Sequence, residues 1–124
     1  MSGNTFVWVD IPVADLDRAI AFYSAVVGQP VDKIGGPGFT FGLFKHEGNQ
    51  VGGCLVESGD GAAPSLTGPL VYLDASGRLD AAVAAAEAKG GKVLKAKHSI
   101  APNGFRAIIA DSEGNRVALH SMTD

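Results

Sequence analysis

The sequence predicts an α+β protein made of two tandem β-α-β-β-β units, about residues 4–57 and 69–122, forming a cupped mixed sheet around a cavity. Two observations carry this. First, the chain repeats itself. Residues 16–28 and 79–91 share six of 13 identities at an offset of 63, and Glu47-Gly48-Asn49-Gln50-Val51 returns as Glu113-Gly114-Asn115-Arg116-Val117 at an offset of 66. A chain that repeats a half-length unit builds one domain from two similar halves, and the groove between them is a natural ligand site. Second, each half shows the same succession of strand-like and helix-like patterns.

In the first half, Phe6–Ile11 mixes β-branched and aromatic residues as a strand does. Pro12, which cannot donate to a ladder, is expected to end it. Asp15 stands where an N-cap belongs. Leu16, Ile20, Tyr23 and Val27 follow at 4-3-4 spacing as one buried helix face, and Gly28 and Pro30 stop the helix. A weak strand over Val31–Ile34 precedes a turn cluster, Gly35-Gly36-Pro37-Gly38. That cluster lacks the lysine and helix of a phosphate loop. Phe39–Phe44 and Gln50–Glu57 read as strands around a turn at Glu47-Gly48-Asn49.

Residues 58–68 combine Gly, Ala, Pro, Ser and Asp and read as the linker. The order then restarts. Pro69–Asp74 is a strand, Leu79–Lys89 an alanine-rich helix closed by Gly90-Gly91, and Lys92–His98 a strand. Phe105–Ala110 and Asn115–Met122 form a hairpin around Asp111-Ser112-Glu113-Gly114.

Composition sets bounds on function. The chain has 124 residues, 46% hydrophobic and 19% charged, with a net charge of −3. Its ten Lys and Arg are scattered, which argues against a nucleic-acid partner. No apolar run reaches the roughly 18–20 residues of a membrane span, and no leader pattern opens the chain, so the expectation is a cytoplasmic protein. Cys54 is the only cysteine, which rules out an intrachain disulfide.

The stretch Ile11-Pro12-Val13-Ala14-Asp15-Leu16-Asp17-Arg18-Ala19-Ile20-Ala21-Phe22-Tyr23 leads the first unit. Gly90-Gly91-Lys92-Val93-Leu94 and Asp111–Leu119 follow in the second. With the tandem pattern, these segments resemble the vicinal oxygen chelate superfamily, the glyoxalase and bleomycin-resistance group, over nearly the whole chain. The resemblance implies fold more strongly than reaction. Members similar to glyoxalase I hold a divalent metal on four side chains, one from the first and one from the last strand of each unit. Transferred here, those positions fall at Trp8, Gly52, Ala118, and Leu70 or Val71. None of these supplies the oxygen, imidazole or thiolate donors a cation needs. The chain is therefore similar to a metal-free, lactoylglutathione-lyase-related branch, and no cofactor is expected.

Strand alternation puts Trp8 with Asp10, Gly52 with Cys54, Leu70 with Tyr72, and Ala118 with His120. The expected site has Trp8 and Tyr72 as aromatic walls, Cys54 as a lining thiol, and Asp10 and His120 as the catalytic pair. His120 would act as general acid or base. His46 and His98 read as surface residues; Arg106, on a late strand, could meet an anionic ligand, with a surface salt bridge as the simpler account.

The expected function is binding or transformation of a small organic molecule without the usual metal. One alternative is sequestration of a drug or toxin. Another is a metal-dependent lyase, isomerase or dioxygenase with non-standard ligands, with Asp10, Cys54 and His120 as a conceivable donor trio. Symmetric homodimers are expected, with the cavity closed within one chain or across the pair.

Overall fold

The computed structural model describes residues 4–57 and 62–124, so residues 58–61 of the expected linker lie outside the described part. The chain forms two β-α-β-β-β units. The first contains β1 (Trp8–Val13), α1 (Leu16–Val27), β2 (Asp32–Gly36), β3 (Phe39–Leu43) and β4 (Gly52–Glu57). The second contains β5 (Val71–Asp74), α2 (Leu79–Ala88), β6 (Lys92–Ser99), β7 (Phe105–Ala110) and β8 (Arg116–Ser121). Their strands make two four-stranded mixed sheets, β1-β4-β3-β2 and β5-β8-β7-β6. In each, the first strand runs parallel to the last, and the other pairs are antiparallel. None of the described helices is long and apolar enough to cross a membrane.

Three local expectations shift for physical reasons. β1 does not stop at Pro12 but continues to Val13. It is an edge strand, so the missing N–H faces no ladder partner. On that same edge the Pro12 carbonyl accepts a hydrogen bond from Asn115 Nδ2 at 2.7 Å. The glycine cluster is not all turn. Gly35 and Gly36 pair with Thr40 and Phe39, leaving Pro37 and Gly38 as a two-residue turn in which Gly38 takes φ +85°. Finally, α1 buries a broader face than its 4-3-4 stripe. Ala19, Phe22 and Val26 are buried with Leu16 and Tyr23, whereas Ile20 and Val27 are only partly covered. A helix pressed between its own sheet and a second helix buries more than one stripe.

That second helix is α2. Its small buried residues Ala82 and Ala86 let α1 approach closely. Gly91 completes the fit, since a Cβ there would stand 2.7 Å from the Phe22 ring. Arg78 at the start of α2 donates to the Val26 carbonyl near the end of α1, at 2.6 Å. One core results, shared by both units: Ile11, Val13 and Leu55 from the first sheet, and Ile109, Val117 and Leu119 from the second.

The 111–115 turn locks the halves together. Asp15 caps α1 by accepting from the Arg18 N–H at 3.1 Å, as expected. Glu113 of the other unit also accepts from the Ala14 and Asp15 N–H groups, at 3.0 and 2.9 Å, and from both forks of Arg18. A carboxylate at a helix N-terminus satisfies orphan donors and opposes the helix dipole. Beneath it, the buried Tyr23 hydroxyl donates to Asp111 Oδ2 at 2.5 Å.

Candidate functional site

Each sheet turns its Leu/Ile/Val face to the shared core, so the alternate residues face away from it. These away-facing residues include all five expected site residues, in two separate groups.

On the first sheet, Trp8 lies opposite Gly52 and Asp10 opposite Cys54. Asp10 Oδ1 accepts from the Trp8 indole N–H at 3.0 Å and from the Cys54 thiol at 3.2 Å. Burial, with the Asp10 carboxylate beside it, pushes the Cys54 thiol up. It therefore stays protonated and acts as a donor rather than a nucleophile. His46 meets the Trp8 ring edge-on at 5.6 Å.

On the second sheet, Tyr72 lies opposite Ala118 and Asp74 opposite His120. His120 Nε2 stands 2.6 Å from the Asn103 carbonyl and must donate to it. In the neutral ring this leaves the lone pair on Nδ1. The Tyr72 ring is 6.3 Å from His120. Asp74 is held below its usual range chiefly by the Ser76 hydroxyl and N–H, with a smaller contribution from His120.

Among the described residues, no hydrogen bond, ion pair or ring contact joins Trp8, Asp10 and Cys54 to Tyr72 and His120. Asp10 and His120, expected as one polar pair, thus belong to different groups within a chain. The conceivable trio of Asp10, Cys54 and His120 is likewise not assembled. No cluster of three or more His, Cys, Asp or Glu among the described residues is placed to hold an ion.

Three residues, Arg106, His98 and Asp74, have contacts that the sequence reading did not assign. Arg106 lies opposite His120 and beside His98. It was expected in a salt bridge but has no carboxylate partner among the described residues. Instead its Nε donates to His98 Nε2 at 3.0 Å and its Nη1 to the Tyr72 hydroxyl. His98 in turn places Nδ1 2.8 Å from the Ala96 carbonyl, so it too is engaged rather than a free surface imidazole. Asp74 is the pair-mate of His120, as Cys54 is of Asp10. The repeat could have flagged it, because Asp74 follows Tyr72 as Asp10 follows Trp8.

A cavity of about 610 Å³ opens beyond the C-terminal end of α1. Its apolar wall comes from the core-facing side of both sheets, notably Val9, Ile11, Val71 and Leu73, with Phe44. Of the five expected residues only Tyr72 lines it, joined by Asp74 and His46. The expected cavity face is that of Trp8 and its strand partners, not that of Val9, Ile11, Val71 and Leu73. A space between two sheets where a helix ends leaves no mark on alternation.

The register also settles the fourth position of the family's metal pattern. Trp8 stands opposite Gly52, so the residue opposite Ala118 is its counterpart, and that residue is Tyr72. Leu70 precedes β5, and Val71 points to the core side. The indole of Trp8 also covers Gly52, where an added Cβ would lie 2.7 Å from Cζ3. Gly52 supplies no donor atoms, and the Trp8 and His46 rings occupy the space a side chain there would enter. Trp, Gly, Ala and a phenol committed to Arg106 do not fit a divalent ion of the glyoxalase I kind.

Two repeated units, a shared helix-lined core and paired parallel first and last strands define the class: a tandem β-α-β-β-β protein. The family model of the Glyoxalase/Bleomycin resistance protein/Dioxygenase superfamily matches residues 5–119, and the chain belongs to that superfamily. Solved structures share the fold. A glyoxalase/bleomycin resistance protein from Albidiferax ferrireducens T118 is 20% identical, with 95% of this chain and 98% of that one covered and a TM-score of 0.76. A glyoxalase/bleomycin resistance protein/dioxygenase family enzyme from Burkholderia phytofirmans PsJN is 18% identical, covering 93% and 96%, with a TM-score of 0.67. A glyoxalase I mutant from Zea mays is 20% identical, covering 94% of this chain but 46% of that one, with a TM-score of 0.68. No curated protein matches the chain.

Proposed function

We propose that this protein binds a small organic molecule without the side-chain metal site of glyoxalase I, and that it does so as a homodimer. The observation that carries the reading is the indole of Trp8 lying over Gly52, an aromatic surface where the family pattern asks for ligands. Trp8 is 43% and Tyr72 47% exposed, although both are large and partly apolar. Such side chains, turned away from the core on two sheets, support a ligand between the first-sheet face of one copy and the second-sheet face of another. Pairing of this kind also brings Asp10 near His120, which one chain keeps apart.

Sequestration of a drug or toxin is the alternative, since it needs the aromatic walls but not the acid–base pair that turnover requires. Should a reaction occur, His120 is the base, through the Nδ1 lone pair that its bond to Asn103 leaves available.

Three measurements test this. Elemental analysis of protein purified without chelator is expected to find no stoichiometric zinc, nickel, iron or manganese; one ion per chain would overturn the reading. Sedimentation is expected to show a dimer, and a monomer at all concentrations would overturn the shared site. Thermal-shift screening of metabolites and antibiotics should find ligands whose stabilisation disappears in Trp8→Ala. His120→Ala then separates the two roles: retained binding with lost turnover marks an enzyme, and lost binding alone marks sequestration.

A further inference from the structure

The two away-facing surfaces differ in chemistry. On the first sheet, Leu43 lies opposite Cys54, Phe41 opposite Ile34, and Phe39 opposite Gly36, so these side chains share the face of Trp8 and Asp10. Phe39 and Phe41 stack at 6.2 Å and 13°, and Phe39 is 59% exposed. This surface is apolar and aromatic. The corresponding surface of the second sheet carries Arg106, His98, His120 and Arg116, together with the Asp74 carboxylate opposite His120, whose Oδ1 is engaged by Ser76.

The cations there are short of anions. Lys33, Lys97 and Arg18 have carboxylate partners; Arg106 and Arg116, like the remaining Lys and Arg side chains, have none among the described residues. Arg106 is nonetheless fixed in place. His98 accepts from its Nε, the Tyr72 hydroxyl accepts from Nη1, and its guanidinium carbon lies 5.9 Å from the Tyr72 ring centroid. His98 can accept only as the neutral ring, and its Nδ1–H to the Ala96 carbonyl sets that tautomer. All the groups holding Arg106 are thus neutral. They orient the guanidinium without cancelling its charge, which leaves Nη2 free to donate. Arg116 is engaged differently: its Nη2 donates to the Gly68 carbonyl at 3.1 Å, and its Nε is buried with no hydrogen-bond partner among the described residues. A pre-oriented, uncompensated guanidinium is the usual means of recognising a carboxylate or a phosphorus oxyanion.

We infer that the ligand is an amphipathic anion, an oxyanion attached to an aromatic or apolar body, with Arg106 as the group that recognises the charge. This rests on the preceding reading that a ligand lies between the two kinds of surface. The body lies against Trp8 and the stacked phenylalanines, and the oxyanion meets Arg106. A neutral isostere forfeits one charge-assisted interaction.

The test is calorimetric titration of the intact protein with phenylacetate, phenylphosphonate, phenylacetamide and benzylamine. Wild type is expected to bind one of the anions at least about tenfold tighter than the amide, the scale of one charge-assisted bond. Preference for phenylacetate assigns a carboxylate, and preference for phenylphosphonate a phosphorus oxyanion. Arg106→Gln is expected to erase the preference while the amide affinity holds. Lys33→Gln, which removes one positive charge from the Asp17 pair, is expected to leave it intact. Circular dichroism confirms that each variant is folded. If Arg106→Gln does not fold, Arg106→Lys, which keeps the charge but loses the fork and the His98 bond, must weaken anion binding. Equal affinity for anion and amide, preference for benzylamine, or an unchanged preference in Arg106→Gln overturns the inference and leaves small-molecule binding standing. Failure of all four probes to bind at millimolar concentration overturns both.

Discussion

Replacing Glu113 with Gln removes the charge that ties the second unit to the start of α1. The Glu113 side chain is fully enclosed, whereas Arg18 is 52% exposed. Oε1 accepts from the Ala14 and Asp15 N–H groups and Arg18 Nη2; Oε2 accepts from Arg18 Nε at 2.7 Å and from the Ser112 hydroxyl at 2.8 Å. A glutamine keeps one acceptor oxygen for the first set. Its amide NH₂ then faces the Arg18 Nε–H, donor against donor. The lost charge-assisted bond is worth about 1.5–3 kcal/mol, taken at the low end because Arg18 reaches solvent. The lost charge at the helix N-terminus adds roughly 0.3–1 kcal/mol. We expect Glu113→Gln to cost about 2 kcal/mol. For a domain of this size that lowers Tm by about 6–10 °C.

The pH dependence gives a sharper readout. Hydrogen bonds from Arg18 come first; burial opposes them, and the Asp15 N–H, the Ser112 hydroxyl and the Ala14 N–H reinforce them. Together they hold the Glu113 carboxyl at about 2, down from its ordinary 4.5. A lowered folded-state pKa means that the unfolded chain takes up the proton first. The stabilisation is complete above about 4.5 and drains away as pH falls toward 2. Urea unfolding of wild type and Glu113→Gln from pH 7 to pH 2.5 should show two stability curves converging with acid. A difference under about 0.5 kcal/mol at pH 7, or one that does not shrink below pH 4.5, refutes the clamp.

Two further predictions concern the seam between the halves. Tyr23→Phe removes the hydroxyl from Asp111, whose Oδ2 keeps, among the described residues, only the Asn115 amide at 3.0 Å. Urea unfolding should show a loss of about 1.5–3 kcal/mol with an unchanged m-value. Burial and the facing Asp111 raise the Tyr23 pKa, so its phenol should show no absorbance titration in the folded protein through pH 10. Gly91→Ala forces a methyl to 2.7 Å from Phe22 and within 2.9 Å of two backbone oxygens, those of Ala110 and Ala86. Backbone cannot yield as a flexible side chain does, so thermal denaturation should report a loss of about 1–3 kcal/mol or more.

Much of the architecture was legible because local rules act alone. Asp15 and Gly28 cap α1 as read, Gly28 at φ +74°. Gly90 takes φ +96° and lets the Gly91 N–H reach the Ala86 carbonyl, the closure expected for α2. The repeat predicted the second unit from the first. The misses share one cause, which is the neighbour across space. Pro12 sits within a strand because β1 is an edge, and α1 buries Ala19 and Val26 because α2 lies on it.

The candidate site divides in the same way. Alternation placed Trp8 with Asp10 and Tyr72 with its neighbours, because side-chain direction in a strand depends only on parity. The absence of metal donors at Trp8, Gly52 and Ala118 is likewise a matter of residue identity, which the sequence fully states. Position 72 needed the ladder, since only pairing with Ala118 fixes which strand residue answers Trp8. Arg106 needed it too. Whether a cation meets a carboxylate or an imidazole depends on what the fold brings within 3 Å, and His98 is eight residues away on another strand. The residue types of this chain decided what chemistry is possible at its surfaces. Their partners, the room between the two sheets and the separation of Asp10 from His120 were decided by packing, because distance in space is set by the whole chain at once.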